Sequence, residues 1–301
     1  MHLLVAGTIA IDDIKTPSST RTGLMGGSAA YAAMASSFFC STRIVGIVGK
    51  DFPEEHINTL KQRSICTDGI EYSEGESFYW SGEYHDNMNE RTTHEVAVNV
   101  LEAYTPKLPA NYQSSDIIVL ANMSPKNQID VLRQCSAPQF VVADTMDIWI
   151  QTDPTALDDL LTRIDMLVIN ESEAKLFTQT GNLVQAGQRL LESGPKYAII
   201  KTGEHGALLF GPDKGFFRVG AYPLESVEDP TGAGDCFLGG LAGYLAQNNK
   251  PVDFATLKHS LSPATVMASF TCEAFSIERL ASIDRAAVDF RLNSYKSFTQ
   301  L

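Results

Sequence analysis

The stretch Asp229-Pro230-Thr231-Gly232-Ala233-Gly234-Asp235 sets a carboxylate directly behind two glycines. An apolar run with Phe237, Leu238, Leu241 and Leu245 at helical spacing follows. The spacing predicts a turn at Pro230 and a helix over Ala233–Ala246. Unpaired amide hydrogens at a helix start favour an anion, and glycine lets the backbone approach it closely. Such a segment can hold a phosphate on the amides of Gly232, Ala233 and Gly234 while Asp235 accepts a proton from an attacking hydroxyl. The same residues also suit a plain glycine-rich helix start in which Asp235 only complements the dipole. On either reading the dipole is expected to lower the Asp235 pKa, leaving a weak base at rest. Phosphoryl transfer tolerates that, because it relies on position and charge stabilisation.

Three further groups stand at predicted strand ends, where open α/β sheets bind ligands. Asn170-Glu171-Ser172-Glu173 follows the strand MLVIN; its carboxylates suit magnesium, and Asn170 with Glu173 equally suits a helix capping box. Lys201-Thr202-Gly203-Glu204-His205-Gly206 follows YAII and reads as a hairpin turn, with Lys201 either a source of positive charge or a solvated lysine. Asp12 follows the first strand and could accept hydrogen bonds from substrate hydroxyls, or lie in a surface turn; Gly26-Gly27 opens a helix.

These groups need a scaffold. Short apolar runs predict strands at Leu3–Ile9, Arg43–Gly49, Asp116–Ala121, Phe140–Ala143, Met166–Asn170, Tyr197–Thr202 and Ala207–Phe210. Helices are expected over Gly26–Phe39, from about Pro53, over Pro125–Cys135, Asp153–Leu161, Glu171–Thr178 and Leu183–Glu192. Three more, Ala233–Ala246, Phe254–Phe270 and Ile277–Leu292, are expected to close the chain. Apolar strands alternating with helices argue for a mainly parallel sheet covered on both faces. From residue 69 to about residue 104 the pattern shifts to short strands, Ile70–Tyr72, Ser77–Ser81 and Glu95–Val98. This segment reads as a small β insertion. Its Phe78, Tyr79, Trp80 and Tyr84 lie beside Asn87, Asn89 and Arg91, either as a lid over an acceptor or as a surface packed on the body or a second subunit.

A net charge of −13 argues against nucleic acid or an anionic membrane as partner. The amino terminus, MHLLVAGTIAIDDIK, reads as neither leader nor span. Five scattered cysteines without a CxxC predict a reducing, cytoplasmic setting with no disulfide scaffold or zinc site. No GxxxxGK[ST], HExxH or GxSxG occurs.

The DPTGAGD heptad resembles the carboxy-terminal motif of the ribokinase-like (PfkB) carbohydrate kinase family. Asp12, Gly26-Gly27, the β insertion, Asn170 with Glu173 and the Thr202–Gly206 turn resemble its other positions. The resemblance implies one ribokinase-like three-layer α/β/α domain over 1–301, with a β lid at about 69–104 through which a homodimer could form. It implies transfer of the ATP γ-phosphate to an alcohol, Asp235 being the base and the Gly232–Gly234 backbone the anion hole. By the same resemblance Asp12, Gly26 and Gly27 hold the acceptor; Tyr31, a departure from the family that offers a ring and a hydroxyl, is expected beside them, and Arg91 reads either as a contact to an acidic or phosphorylated acceptor or as a surface arginine. Asn170, Thr202, Gly203 and Gly206 line the nucleotide, Glu173 serves Mg2+, and Asp229 matches a monovalent-cation (K+) position. Ribokinases themselves carry asparagines where this chain has Ala10 and Tyr31, and lysine where it has Ser28. The acceptor is therefore expected to be a sugar or sugar-like molecule other than plain ribose. A nucleoside is the alternative, with Tyr31 and Trp80 stacking on its base; a ligand-binding protein without catalysis is a third reading.

Overall fold

The computed structural model describes residues 1–299. The amino-terminal third forms β1 (Leu3–Ala6), β2 (Ala10–Lys15), β3 (Thr20–Gly26), α1 (Ser28–Ser36), β4 (Thr42–Val48), α2 (Glu54–Gln62), β5 (Cys66–Tyr72), β6 (Phe78–Tyr84) and β7 (Arg91–Ala97). The middle supplies β8 (Ile117–Leu120), α3 (Pro125–Gln134), β9 (Phe140–Ala143), α4 (Asp147–Thr152), α5 (Pro154–Leu161), β10 (Met166–Asn170), α6 (Glu171–Thr178) and α7 (Leu183–Glu192). It ends with β11 (Tyr197–Lys201), β12 (Ala207–Gly211) and β13 (Gly215–Val219), followed by α8 (Ala233–Asn248), α9 (Phe254–Thr271), α10 (Glu278–Ser282) and α11 (Arg285–Thr299).

The large sheet has nine strands in the order β13-β12-β11-β10-β9-β8-β1-β4-β5. All its pairings are parallel except β11 with β12 and β12 with β13. Its central strands are apolar throughout because alternate side chains enter two different cores. Leu3, Val5, Ile117 and Val119 pack with α1, α8 and α9 on one face. Leu4, Ala6, Ile118 and Leu120 pack with α3, α5 and α7 on the other. The chain leaves β1 toward β4 on one side and builds β8 to β11 on the other, so the topological switch lies between β1 and β8.

The lid departs from the expected boundaries. A second, four-stranded sheet has the order β3-β2-β6-β7, with β2 and β6 parallel and the outer pairs antiparallel. Two of its strands thus come from before α1, and the segment 69–104 supplies only β6 and β7. The strand expected at Ile70–Tyr72 is part of β5, which pairs with β4 at the edge of the large sheet. The alternating burial of β2, with Ala10, Asp12 and Ile14 inward, was hidden by the acidic pair Asp12-Asp13. Four helices rather than three close the chain. The run over Ile277–Leu292 breaks at Ile283, which is extended (φ −103°, ψ 160°), and Asp284 accepts the Ala287 amide at 2.9 Å to begin α11. α4 and β13 were not expected either.

Candidate active site

Gly232 caps α8 in the left-handed conformation (φ 75°), which orients the heptad turn. A Cβ on Gly232 would stand 2.3 Å from the Tyr31 ring, so the peptide lies flat on that ring. Tyr31 itself is only 1% exposed. It is buried against the turn, and its Oη is a buried oxygen without a hydrogen-bond partner among the described residues. Of the three amides expected to form an anion hole, one is already paired. The Ala233 amide donates to the Pro230 carbonyl at 3.1 Å and is spent inside the turn. The Gly232 and Gly234 amides have no such backbone partner among the described residues.

Asp235 lies in the first turn of α8, partly open to the cleft. Its pKa is not lowered as the helix start alone implies. Burial and then the Asp144 carboxylate push it up to about 7, against the pull of Lys201 and Arg91. Desolvation outweighs the dipole here, and the result is a carboxylate of useful basicity near neutral pH.

Asp144, one residue beyond β9, is the site residue that sequence reasoning missed. Its signal was the strand-end rule, since it directly follows the apolar run FVVA. Its Oδ1 accepts the Thr145 amide at 2.9 Å and its Oδ2 lies 3.4 Å from the Lys201 Nζ, the two side chains being 8% and 16% exposed. Lys201 ends β11, in register with Asn170 on β10. Burial works against its ammonium, but Asp144, Glu173 and Asp235 outweigh burial and hold the charge on. A Cβ on Gly234 would stand 2.9 Å from the Lys201 Nζ, so this ammonium sits at the start of α8.

Asn170 and Glu173 form the capping box. Asn170 Oδ1 accepts the Glu173 amide and Glu173 Oε2 accepts the Asn170 amide, both at 2.9 Å. The box spends one oxygen of each side chain and fixes the carboxylate beside the cleft. Burial first, and Asp144 next, raise Glu173 to about 7. Among the described residues no group of three or more His, Cys, Asp or Glu could hold a metal by itself. Magnesium bridging nucleotide phosphates needs only one or two carboxylates, and Asp144 with Glu173 offers that surplus negative charge.

On the acceptor side Asp12 is 4% exposed, and an ideal Cβ on Gly26 would overlap its carboxylate at 2.0 Å. Glycine at 26 therefore makes room for the acid, and Gly27 caps α1 beside it. Burial, then Asp229 and Asp235, hold the Asp12 pKa well above the carboxylate range. Ser28 bonds Thr8 (3.0 Å) and the Asn122 carbonyl (3.0 Å), so it braces the switch point. Asp229 is fully buried and accepts the Thr231 amide (2.9 Å) and the Ser276 amide (3.2 Å). No ammonium or guanidinium pairs with it among the described residues.

The lid rests on both halves of this cleft. Tyr84 Oη and Thr231 Oγ1 are 3.2 Å apart, and Asn89 stands 2.7 Å from where a Gly203 Cβ would be. Arg91 is exposed, 5.9 Å above the Trp80 ring, and near enough to Asp235 and Tyr84 to offset part of the rise that burial gives both their pKa values. Trp80 packs inside the lid with Ile14, Leu24 and Tyr84. Thr202 closes the turn, its Oγ1 donating to the Gly206 carbonyl at 2.9 Å, with Gly203 and Gly206 facing the cleft side of that turn or its hairpin partner.

The pfkB family carbohydrate kinase model matches residues 8–284. A cytidine kinase of Thermococcus kodakarensis is 27% identical over 251 residues, 81% of this chain and 88% of that one. The nucleoside kinase of Burkholderia thailandensis, in complex with inosine, superposes with a TM-score of 0.81 at 20% identity over 97% of both chains. The nucleoside kinase of Methanocaldococcus jannaschii gives 0.78 at 18%, covering 97% of this chain and 98% of that one. The structural likenesses speak to the fold.

Proposed function

We propose, from the premise that this chain belongs to the pfkB family of carbohydrate kinases and is an ATP-dependent kinase of a sugar or a nucleoside, that Asp235 is the base which deprotonates the acceptor hydroxyl. The observation that carries this is the placement of Asp235, its pKa pushed up to about 7, beside the free amides of Gly232 and Gly234. Those amides receive the charge that builds on the moving phosphate. Asp12, with the Gly26-Gly27 backbone, holds acceptor hydroxyls, and Arg91 reaches over them from the lid. Asn170, Thr202, Gly203 and Gly206 line the triphosphate. Magnesium, when bound with ATP, neutralises phosphate charge; Glu173 and Asp144 would hold it, directly or through water. The acceptor is a sugar or a nucleoside, the second class supported by the cytidine kinase similarity over most of the chain. A panel of sugars, cyclitols and nucleosides with ATP and magnesium tests this; turnover confined to free sugars would exclude the nucleoside.

The raised Asp235 pKa gives a pH prediction. The base works only when deprotonated, so kcat/KM is expected to rise about tenfold per pH unit below pH 7 and to level above it. A flat profile from pH 5.5 to 8 would contradict the assignment.

The buried, unpaired charge of Asp229 supports a monovalent cation on neighbouring carbonyls. Replacing K+ by a bulky organic cation is expected to lower kcat/KM several-fold. Equal rates in both salts would remove the cation from the account. The open edge of β7, with Val96 and Val98 about half exposed, supports a homodimer through the lid, which the mass in solution would check. Five free cysteines fit a cytoplasmic setting. No helix of the described residues is long and apolar enough to cross a membrane.

A further inference from the structure

We propose that Lys201 is a catalytic residue that exchanges Asp144 for the phosphate being transferred, with Asp144 a positioning residue that holds the ammonium at the start of α8 until nucleotide arrives. This rests on the reading of the Gly232 and Gly234 amides as the seat of that phosphate.

Three observations carry it. First, the ammonium is already there: the Nζ would be 2.9 Å from a Gly234 Cβ, so the end of the lysine lies against the first turn of α8. Second, the ammonium is under-used. It has three donors, and among the described residues its one hydrogen-bond partner is Asp144 at 3.4 Å, long beside the ~2.7–2.9 Å of a charge-assisted bond. Third, the cleft carries more negative than positive charge. Asp144, Glu173 and Asp235 all act on this single buried cation. A triphosphate entering here meets three carboxylates, and Lys201 is the group on a flexible stem that can turn toward it. An Arg in this place would fill the space that Gly234 leaves, whereas a compact ammonium can move between a carboxylate and a phosphate oxygen. No bond is made or broken by Lys201; it donates hydrogen bonds to a phosphate oxygen as charge accumulates there.

The rival account gives Lys201 the purely structural task of neutralising a buried Asp144. Variants separate the two. Lys201→Met is expected to lower kcat about 10²–10³-fold, but it also leaves a buried carboxylate alone and costs folding stability. The paired variant Lys201→Met/Asp144→Asn removes both charges and is expected to melt near the parent temperature while staying as slow as Lys201→Met. Recovery of parental kcat in the pair would overturn the proposal. Asp144→Asn alone also removes a carboxylate that would hold magnesium, so it is read by nucleotide binding without the metal, where its preference for a triphosphate analogue over ADP is expected to stay within about threefold of the parent. If that preference falls as far as in the pair, the role belongs to Asp144 and the proposal fails. A second readout needs no acceptor. Calorimetry with a non-hydrolysable ATP analogue and with ADP gives the preference for the terminal phosphate, expected to fall about tenfold or more in the paired variant. An unchanged preference would overturn the proposal. Because that titration is independent of the base, an error at Asp235, seen as a fast Asp235→Asn enzyme, is distinguishable from an error at Lys201.

Discussion

Asp235→Asn is expected to lower kcat by about 10²–10⁴-fold while the acceptor dissociation constant changes by less than about threefold. The amide keeps the size and the hydrogen bonds of the side chain but cannot take a proton. On the barrier this is about 3–5 kcal/mol. Binding should survive because Asp12 and the Gly26-Gly27 backbone, on β2, β3 and the start of α1, are untouched. The variant should also fold. Replacing a partly desolvated carboxylate that Asp144 repels relieves electrostatic strain, so its melting temperature is expected to match or exceed that of the parent. Turnover within a few-fold of the parent would remove Asp235 from the role of base.

Gly232→Ala is the second large effect. The position has φ 75°, and the new methyl would stand 2.3 Å from the Tyr31 ring. A non-glycine residue in the left-handed region costs about 1–2 kcal/mol. The clash adds to this, because Tyr31 is enclosed and its ring has no free volume to enter. The turn must shift, and with it the two free amides. Loss of one well-placed donor to a developing oxyanion costs about 10²–10³ in kcat, and a loss of that order is expected here with a smaller change in acceptor KM. Adding Tyr31→Leu to Gly232→Ala removes ring atoms from the clash and is expected to restore part of the rate. Full activity in Gly232→Ala would show that the turn does not set the geometry of the phosphate site.

Much of this arrangement was legible in the residues. The heptad announced a helix start with an acid in its first turn, and α8 begins at Ala233 as expected. The Asn170–Glu173 capping box was readable from spacing alone. The parallel sheet followed from apolar strands alternating with helices. What escaped notice depends on tertiary surroundings. The Asp235 pKa was misjudged because a local dipole can be read from sequence, whereas burial and the approach of Asp144, 91 residues earlier, cannot. The burial of Tyr31 escaped for the same reason, since a tyrosine among alanines does not show that Gly232 lies against its ring. The pairing of the Ala233 amide with the Pro230 carbonyl is likewise a detail of the folded turn. The lid was drawn too narrowly, since β2 pairs with β6 across the intervening α1, β4, α2 and β5, which sequence order does not reveal.

The central claim is spatial: acceptor hydroxyl, Asp235 and the amides of Gly232 and Gly234 converge on one phosphorus. A crystal structure with acceptor, ADP, magnesium and aluminium fluoride in place of the moving phosphate measures this directly. The account predicts the Asp235 carboxylate within about 2.6–3.2 Å of the acceptor hydroxyl, with the fluoride ligands facing the Gly232 and Gly234 amides. A planar mimic bound elsewhere, or a hydroxyl whose nearest base is another residue, would contradict it.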